Sequence, residues 1–332
     1  MANEVIDLIL QRARSGSLPG KRTDNARLGL AIEGGAMRAI VSAGMLLGLI
    51  QLGVERCFDV VFGASGGAVN GAYFVSGQGP YGGTIYTENI NNKHFINVGR
   101  FFLGKHIVDT AYLFDNIMTR VKKLDVQSLI EAPIPLKIVA SSISELKSKV
   151  LADFADGKDV LDALRASSRM PLVAGPPVQY RGDSYIDASV FEGIPIRSAM
   201  ADGCTHVLTL LTRPEGSLPN SDSFIERQVV APRLERYASG LGRAFLCRYE
   251  QYLESMELLQ LGETQKVDGI SLAKIAVPQG TAGVGRMETR KDVLIAGAKS
   301  GLAACMLRFG FDQVYATETL TAFDGNGCAA KL

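Results

Sequence analysis

Residues 63–67, Gly63-Ala64-Ser65-Gly66-Gly67, carry the plainest chemical signal in this chain of 332 residues. They fit G-x-S-x-G, with an apolar run (DVVF) before and a small-residue stretch (GGAVNGAYF) after. Glycines in this context let a strand turn sharply into a helix, which lifts a serine hydroxyl clear of the backbone. Ser65 is therefore a candidate nucleophile, placed at a helix N-terminus where the macrodipole favours a developing alkoxide.

A second glycine-rich stretch, Glu33-Gly34-Gly35-Ala36-Met37-Arg38, follows an apolar run and opens a helical pattern. Its unpaired N–H groups are expected at the same edge of the sheet as Ser65. It lacks both G-x-x-x-x-G-K-[ST] and a complete G-x-G-x-x-G, so a phosphate cradle fits poorly. An oxyanion hole made by the amides of Gly34, Gly35 and Ala36 fits better, each donor worth roughly a hundred- to a thousandfold in rate. Arg38 places a cation in a helix's first turn, against the macrodipole. Either an anionic group or the glycine loop holds it there, or it is a solvated side chain.

Ser65 needs a base, and the residues offer two. Ser65, Asp187 and His206 stand in the chain order of an α/β-hydrolase triad. Yet His206 opens the apolar run HVLTLL, and a strand position rarely projects a mobile base toward the loop edge. His94 and His106 lie in or just after a polar stretch. Asp187, in Tyr185-Ile186-Asp187-Ala188-Ser189-Val190, sits among apolar and small residues. A carboxylate in a water-poor site can take a serine proton directly, although the same aspartate also suits a turn.

The elements that would position these groups read as strands alternating with helices. Short apolar runs at 28–33, 58–62, 136–141, 206–211 and 272–277 suit a parallel sheet covered on both faces. Helical patterns at 37–52, 66–76, 160–168 (capped by Asp159) and 196–201 lie between them. Residues 76–97, rich in Gly, Asn and Tyr, are expected as a surface excursion. Residues 224–261 are expected to form charged helices packed on the core, with a lid as the rival reading. The length supports one large α/β domain: an amphipathic segment at 1–26, a core at 27–214, and a helical extension with a last strand and helix at 215–332.

Composition removes several classes of function. A net charge of +1 with no dense basic block argues against nucleic acid as a partner. Five scattered cysteines without a C-x-x-C pair read as reduced thiols of a cytoplasmic protein and not as a metal site. The N-terminus, with Glu4 and Asp7 and no leading basic residue, does not read as a signal peptide. No apolar run reaches membrane-spanning length, so any contact with lipid is expected to be peripheral.

Taken together, three ordered segments resemble the patatin-like phospholipase family, in its bacterial branch. Residues 34–39 (GGAMRA) resemble the G-G-G-x-R-G oxyanion loop, 63–67 the nucleophile motif, and 187–189 (DAS) the D-G-G or D-G-A motif. Residues 166–171 (ASSRMP) and 190–195 (VFEGIP) resemble what flanks the family's aspartate. The resemblance implies a three-layer α/β/α fold with a mainly parallel sheet. It also implies hydrolysis of lipid acyl esters, with Ser65 as nucleophile, Asp187 as sole partner, the 34–36 amides as oxyanion donors, and no cofactor or metal. Ala36, Ala39 and Ala188-Ser189 depart from the family's glycines. Two rival readings follow: a lipid-binding or regulatory protein with weakened catalysis, and an α/β-hydrolase that depends on His206.

Overall fold

The computed structural model describes residues 3–219 and 223–311. Eight strands form one sheet in the order β5-β6-β3-β2-β1-β7-β8, with β4 also paired to β3. They are β1 (Leu28–Ile32), β2 (Val60–Ala64), β3 (Leu136–Ser142), β4 (Lys147–Leu151), β5 (Val178–Tyr180), β6 (Asp183–Ile186), β7 (His206–Leu210) and β8 (Ser271–Ile275). The pairs β1/β2, β1/β7, β2/β3 and β7/β8 are parallel, whereas β3/β4, β3/β6 and β5/β6 are antiparallel. The five apolar runs form the parallel strands, the second starting two residues later than its apolar pattern. The antiparallel edge was not foreseen.

Alternation within the strands explains why both faces are covered. Leu28, Leu30 and Ile32 of β1, Val61 of β2 and Leu208 and Leu210 of β7 enter one core. Ala31, Val60, Phe62, Val207 and Leu272 enter the other. The first face is covered by α1 (Glu4–Ser15), α2 (Ile40–Gln51), α3 (Gly66–Val75) and α4 (Gly157–Ser167), and the second by α5 (Ile196–Ala201) and α6 (Arg248–Gly262). A last helix, α7 (Lys291–Arg308), packs backbone to backbone on α2. A Cβ on Gly44 would lie 2.0 Å from the carbonyl oxygen of Ala298, so no other residue fits there.

Three expectations need correction. The cap of α4 is Asp156, whose side chain accepts from the Asp159 N–H, because the helix begins three residues earlier than its apolar pattern. Residues 76–97 are not a surface excursion. They contain the short helices Gly79–Gly83 and Ile85–Glu88, and Ile85, Tyr86, Thr87, Ile90, Phe95 and Ile96 are all buried. Two of their glycines serve packing, since a Cβ on Gly82 would meet the Tyr73 ring at 2.1 Å and one on Gly79 the Ile50 side chain at 2.6 Å. Residues 224–261 break into short helical pieces before α6, and several line the cavity over Ser65 instead of only packing on the core. The four cysteines among the described residues are unpaired, and Cys328 lies outside them.

Candidate active site

β3 explains how Ser65 and Asp187 meet. Its residues 138–142 pair with β4 along one edge, while Leu136 to Val139 pair with β2 along the other. β3 outruns β2 there, and β6 takes the vacated length, with Tyr185 and Ile186 opposite Ser142 and Ser141. β2 runs parallel to β3 and β6 antiparallel, so their carboxyl ends point at each other. Extending both registers by one residue brings Ser65 and Asp187 to the level of Ala140. The Ser65 hydroxyl donates to Asp187 Oδ2 at 2.8 Å. Both residues are buried.

The backbone around this pair is held from several sides. Ser65 adopts φ 51 and ψ −123, a conformation that L residues seldom take and that sites of chemistry often store. Its N–H donates to Ser167 Oγ at 2.8 Å, and that hydroxyl donates to Val139 O at 2.6 Å. Two residues on, the carbonyl of Arg169 accepts the Asp187 N–H at 3.0 Å. One stretch, residues 166–171, thus clamps both members of the pair. Asp187 Oδ1 accepts the Ser189 N–H at 2.9 Å, leaving Oδ2 to the serine. Ser189 therefore supplies its backbone here, which the alanine and serine at 188 and 189 do not prevent.

The 34–36 loop packs directly on the serine turn. A Cβ on Gly67 would lie 2.4 Å from Ile32 O, and one on Gly34 would lie 2.8 Å from Ala64 O. The three expected donors are not equivalent. The Gly34 N–H donates to Gly193 O at 3.1 Å, so it is not free to receive an oxyanion. The N–H groups of Gly35, Ala36 and Gly66 have no acceptor among the described residues. Gly66 was not among the sequence candidates. It belongs with Ala36 because a Cβ on Gly66 would meet the Ala36 carbonyl at 3.2 Å.

Arg38 is buried, which excludes the solvated reading. Its Nε donates to Thr212 Oγ1 at 3.1 Å, and that hydroxyl donates to Gly34 O at 3.2 Å. Glu33 lies 3.9 Å from the Arg38 guanidinium and accepts the Thr212 N–H. Arg38 is thereby a brace for the glycine loop. Burial, with Arg213 and Arg286 nearby, pushes its pKa down to about 10 despite Glu33, so it stays charged at neutral pH.

His206 is far from this chemistry. In the register it stands opposite Leu28, whereas Gly63 stands opposite Ile32. Four residues of rise separate those levels, roughly 13 Å. Its Nδ1 lies 2.9 Å from Thr205 Oγ1, and burial lowers its pKa. His94, which stacks on Tyr112, and His106 are both exposed, whereas Ser65 is buried, and neither lines the pocket at Ser65. A triad through any of these side chains is therefore not assembled.

Over Ser65 opens a cavity of about 690 Å³. Its walls combine apolar residues such as Val69, Ile90, Phe95 and Val108 with Arg38, Arg213, Arg248 and Arg286. Arg213 and Arg286 were missed in the sequence. Arg213 lies three residues beyond the carboxyl end of β7, the edge where such sheets bind ligands, which is the signal that could have found it; Arg286 lies in the longer segment after β8. No group of three or more potential metal-ligating side chains occurs among the described residues.

Comparison with known proteins gives three kinds of match. The family model described as "Patatin-like phospholipase" matches residues 30–200, a little over half of the chain. The uncharacterized protein YjjU of Escherichia coli K12 is 25% identical over 199 residues, 57% of this chain and 52% of its own length. The probable lipid hydrolase 463L of Invertebrate iridescent virus 6 is 23% identical over 184 residues, 52% of this chain and 62% of its own length. The chain thus spans between half and two thirds of these relatives. The crystal structure of VipD from Legionella pneumophila aligns with a TM-score of 0.41 and 11% identity, over 86% of this chain and 67% of that one.

Proposed function

Because this chain belongs to the patatin-like phospholipase family, we propose that it is a serine lipid acyl hydrolase that works through a Ser65-Asp187 dyad. The observation that carries this reading is the 2.8 Å hydrogen bond from Ser65 to Asp187 beside free backbone amides, in a cavity of acyl-chain size. Asp187 takes the Ser65 proton as the oxygen attacks the ester carbonyl, and the amides of Gly35, Ala36 and Gly66 receive the oxyanion. Collapse returns the proton to the leaving alcohol and leaves an acyl-enzyme. Water, deprotonated by Asp187, then releases the fatty acid. The name of the viral relative, a probable lipid hydrolase, supports the substrate class. We assign this chemistry to residues 27–214, with the described parts of the flanking segments, 3–26, 215–219 and 223–311, packed around them.

Peripheral contact with a lipid surface belongs to the same reading. Phe101 and Phe102 are 60% and 84% exposed, with Leu103 beside them and Arg100 and Lys105 flanking. Phe95 and Val108, on either side of this loop, line the cavity. Phe224 and Ile225 are also exposed, next to Ser223 and Glu226 of the cavity wall. Apolar side chains ringed by cations suit the boundary between head groups and acyl chains. No helix among the described residues is long and apolar enough to cross a membrane.

The test is to trap the acyl-enzyme. Rapid acid quench of the protein with a p-nitrophenyl acyl ester is expected to add one acyl mass to the peptide that contains Ser65. An acyl group found on another residue, or no turnover of short or long acyl esters by a folded protein, contradicts the reading; lipid binding without turnover would favour the regulatory alternative.

A further inference from the structure

The cavity holds more positive charge than the dyad and its loop use. Four carboxylates line it, and each has a partner. Glu33 faces Arg38 and accepts the Thr212 N–H. Glu192 accepts the Ser198 N–H at 2.8 Å and its hydroxyl at 2.6 Å. Glu226 pairs with Arg248 at 2.6 Å. Asp187 accepts from Ser65 and Ser189. Arg213 and Arg286 remain, and neither forms an ion pair among the described residues.

Arg286 is fixed to the 34–36 loop by its own backbone and Arg213 through its neighbour Thr212. Arg213 directly follows Thr212, which bonds to Glu33 and Gly34. The Arg286 carbonyl accepts the Met37 N–H at 3.2 Å, one residue after Ala36. The Arg213 guanidinium lies over the Tyr252 ring at 5.6 Å, and its buried Nε has no acceptor. Arg286 lines the same cavity and is exposed there. Arg213 is half-buried, so both guanidinium groups are open to a ligand, and a bound oxyanion with two acceptor oxygens matches their planar forks.

We propose that Arg213 and Arg286 form an anion-binding subsite beside Ser65, which selects acyl esters that carry a phosphate or carboxylate group near the scissile bond. The inference rests on the hydrolase reading above and adds to it the charge of the substrate. Neither arginine lies in residues 30–200, the segment matched by the family model. The preference is thus set by the C-terminal part of this chain and not by the shared catalytic motifs.

Two measurements separate this inference from the reading it rests on. The first is calorimetric titration of the full chain with glycerol 3-phosphate and, separately, with succinate. Saturable binding of either, weakened at least tenfold in Arg213→Gln and in Arg286→Gln and partly restored in the lysine variants, supports the subsite. The ligand that binds better identifies phosphate or carboxylate as its target. No binding by wild-type protein, or equal binding by wild type and both glutamine variants, overturns it. The second is kcat/KM for a monoacylglycerol 3-phosphate against the monoacylglycerol of the same chain length. A preference of at least tenfold for the phosphate ester in wild type, collapsing toward unity in the glutamine variants, is expected. Equal losses on both esters overturn the subsite while leaving the hydrolase intact. Binding of the anion with no turnover of either ester has the opposite meaning: the subsite stands and the hydrolase reading falls.

Discussion

Ser167→Ala tests whether the serine turn is held as described. The Ser167 hydroxyl is fully buried, accepts from the Ser65 N–H at 2.8 Å and donates to Val139 O at 2.6 Å. Alanine removes both partners at once and leaves a buried donor and a buried acceptor unsatisfied. At about 1–3 kcal/mol for each orphaned group the expected loss of stability is about 3 kcal/mol. For a domain of this size that lowers Tm by roughly 4–5 °C. Ser65 also loses the bond that keeps its backbone at φ 51. Displacing a nucleophile by a fraction of an ångström slows attack, by up to about a hundredfold for a full ångström. Thermal unfolding by calorimetry and the rate of p-nitrophenyl butyrate hydrolysis read the two effects on one sample. A Tm within 2 °C of wild type with undiminished turnover would refute the reasoning, because it would mean that neither bond restrains the turn.

Three other perturbations address separate parts of the account. Ala36 holds φ 50, so Ala36→Gly relieves left-handed strain and is expected to stabilise by about 0.5–1 kcal/mol in urea unfolding; a lower midpoint would contradict it. Arg12 holds the Asp24 carboxyl below its ordinary pKa of 3.8. A lowered pKa means that the unfolded chain binds the proton more tightly, so this stabilisation is complete above about pH 4 and is lost as pH falls through the folded value. The stability difference between wild type and Asp24→Asn is therefore expected to be level from pH 5 to 7 and to shrink below pH 4, and a difference that grows in acid would be inconsistent with this. Phe102→Ser removes the most exposed ring of the 98–103 loop. Burying such a ring is worth about 1.5–3 kcal/mol, so sedimentation with anionic vesicles is expected to weaken by about tenfold or more, and unchanged sedimentation would exclude this loop from the lipid surface.

The parallel half of the sheet was legible because its strands are buried on both faces and leave unbroken apolar runs. The antiparallel edge leaves no such trace. β4 (KSKVL) is largely exposed and polar, and β5 and β6 are three and four residues long. Their hairpin turns through Arg181 and Gly182, both with positive φ, where an asparagine before the glycine would have announced the turn. That edge is what carries Asp187 to Ser65, so the sequence could name both residues but not the geometry that joins them. Motif spacing placed the 34–36 loop beside Ser65, yet it could not reveal that Gly34 spends its N–H on Gly193 or that the Gly66 N–H is left without an acceptor among the described residues. Arg213 could have been suspected from its place just after β7, but Arg286 could not. They are remote in sequence and meet only because β7 and the segment after β8 end at the same edge as β1.

The dyad itself is tested most directly by labelling with a fluorophosphonate probe in wild type, Ser65→Ala, Asp187→Asn and His206→Ala. Rapid labelling is expected in wild type and His206→Ala, none in Ser65→Ala, and a loss of several orders of magnitude in rate in Asp187→Asn. Labelling that survives in Ser65→Ala, or that disappears in His206→Ala while persisting in Asp187→Asn, would contradict the account.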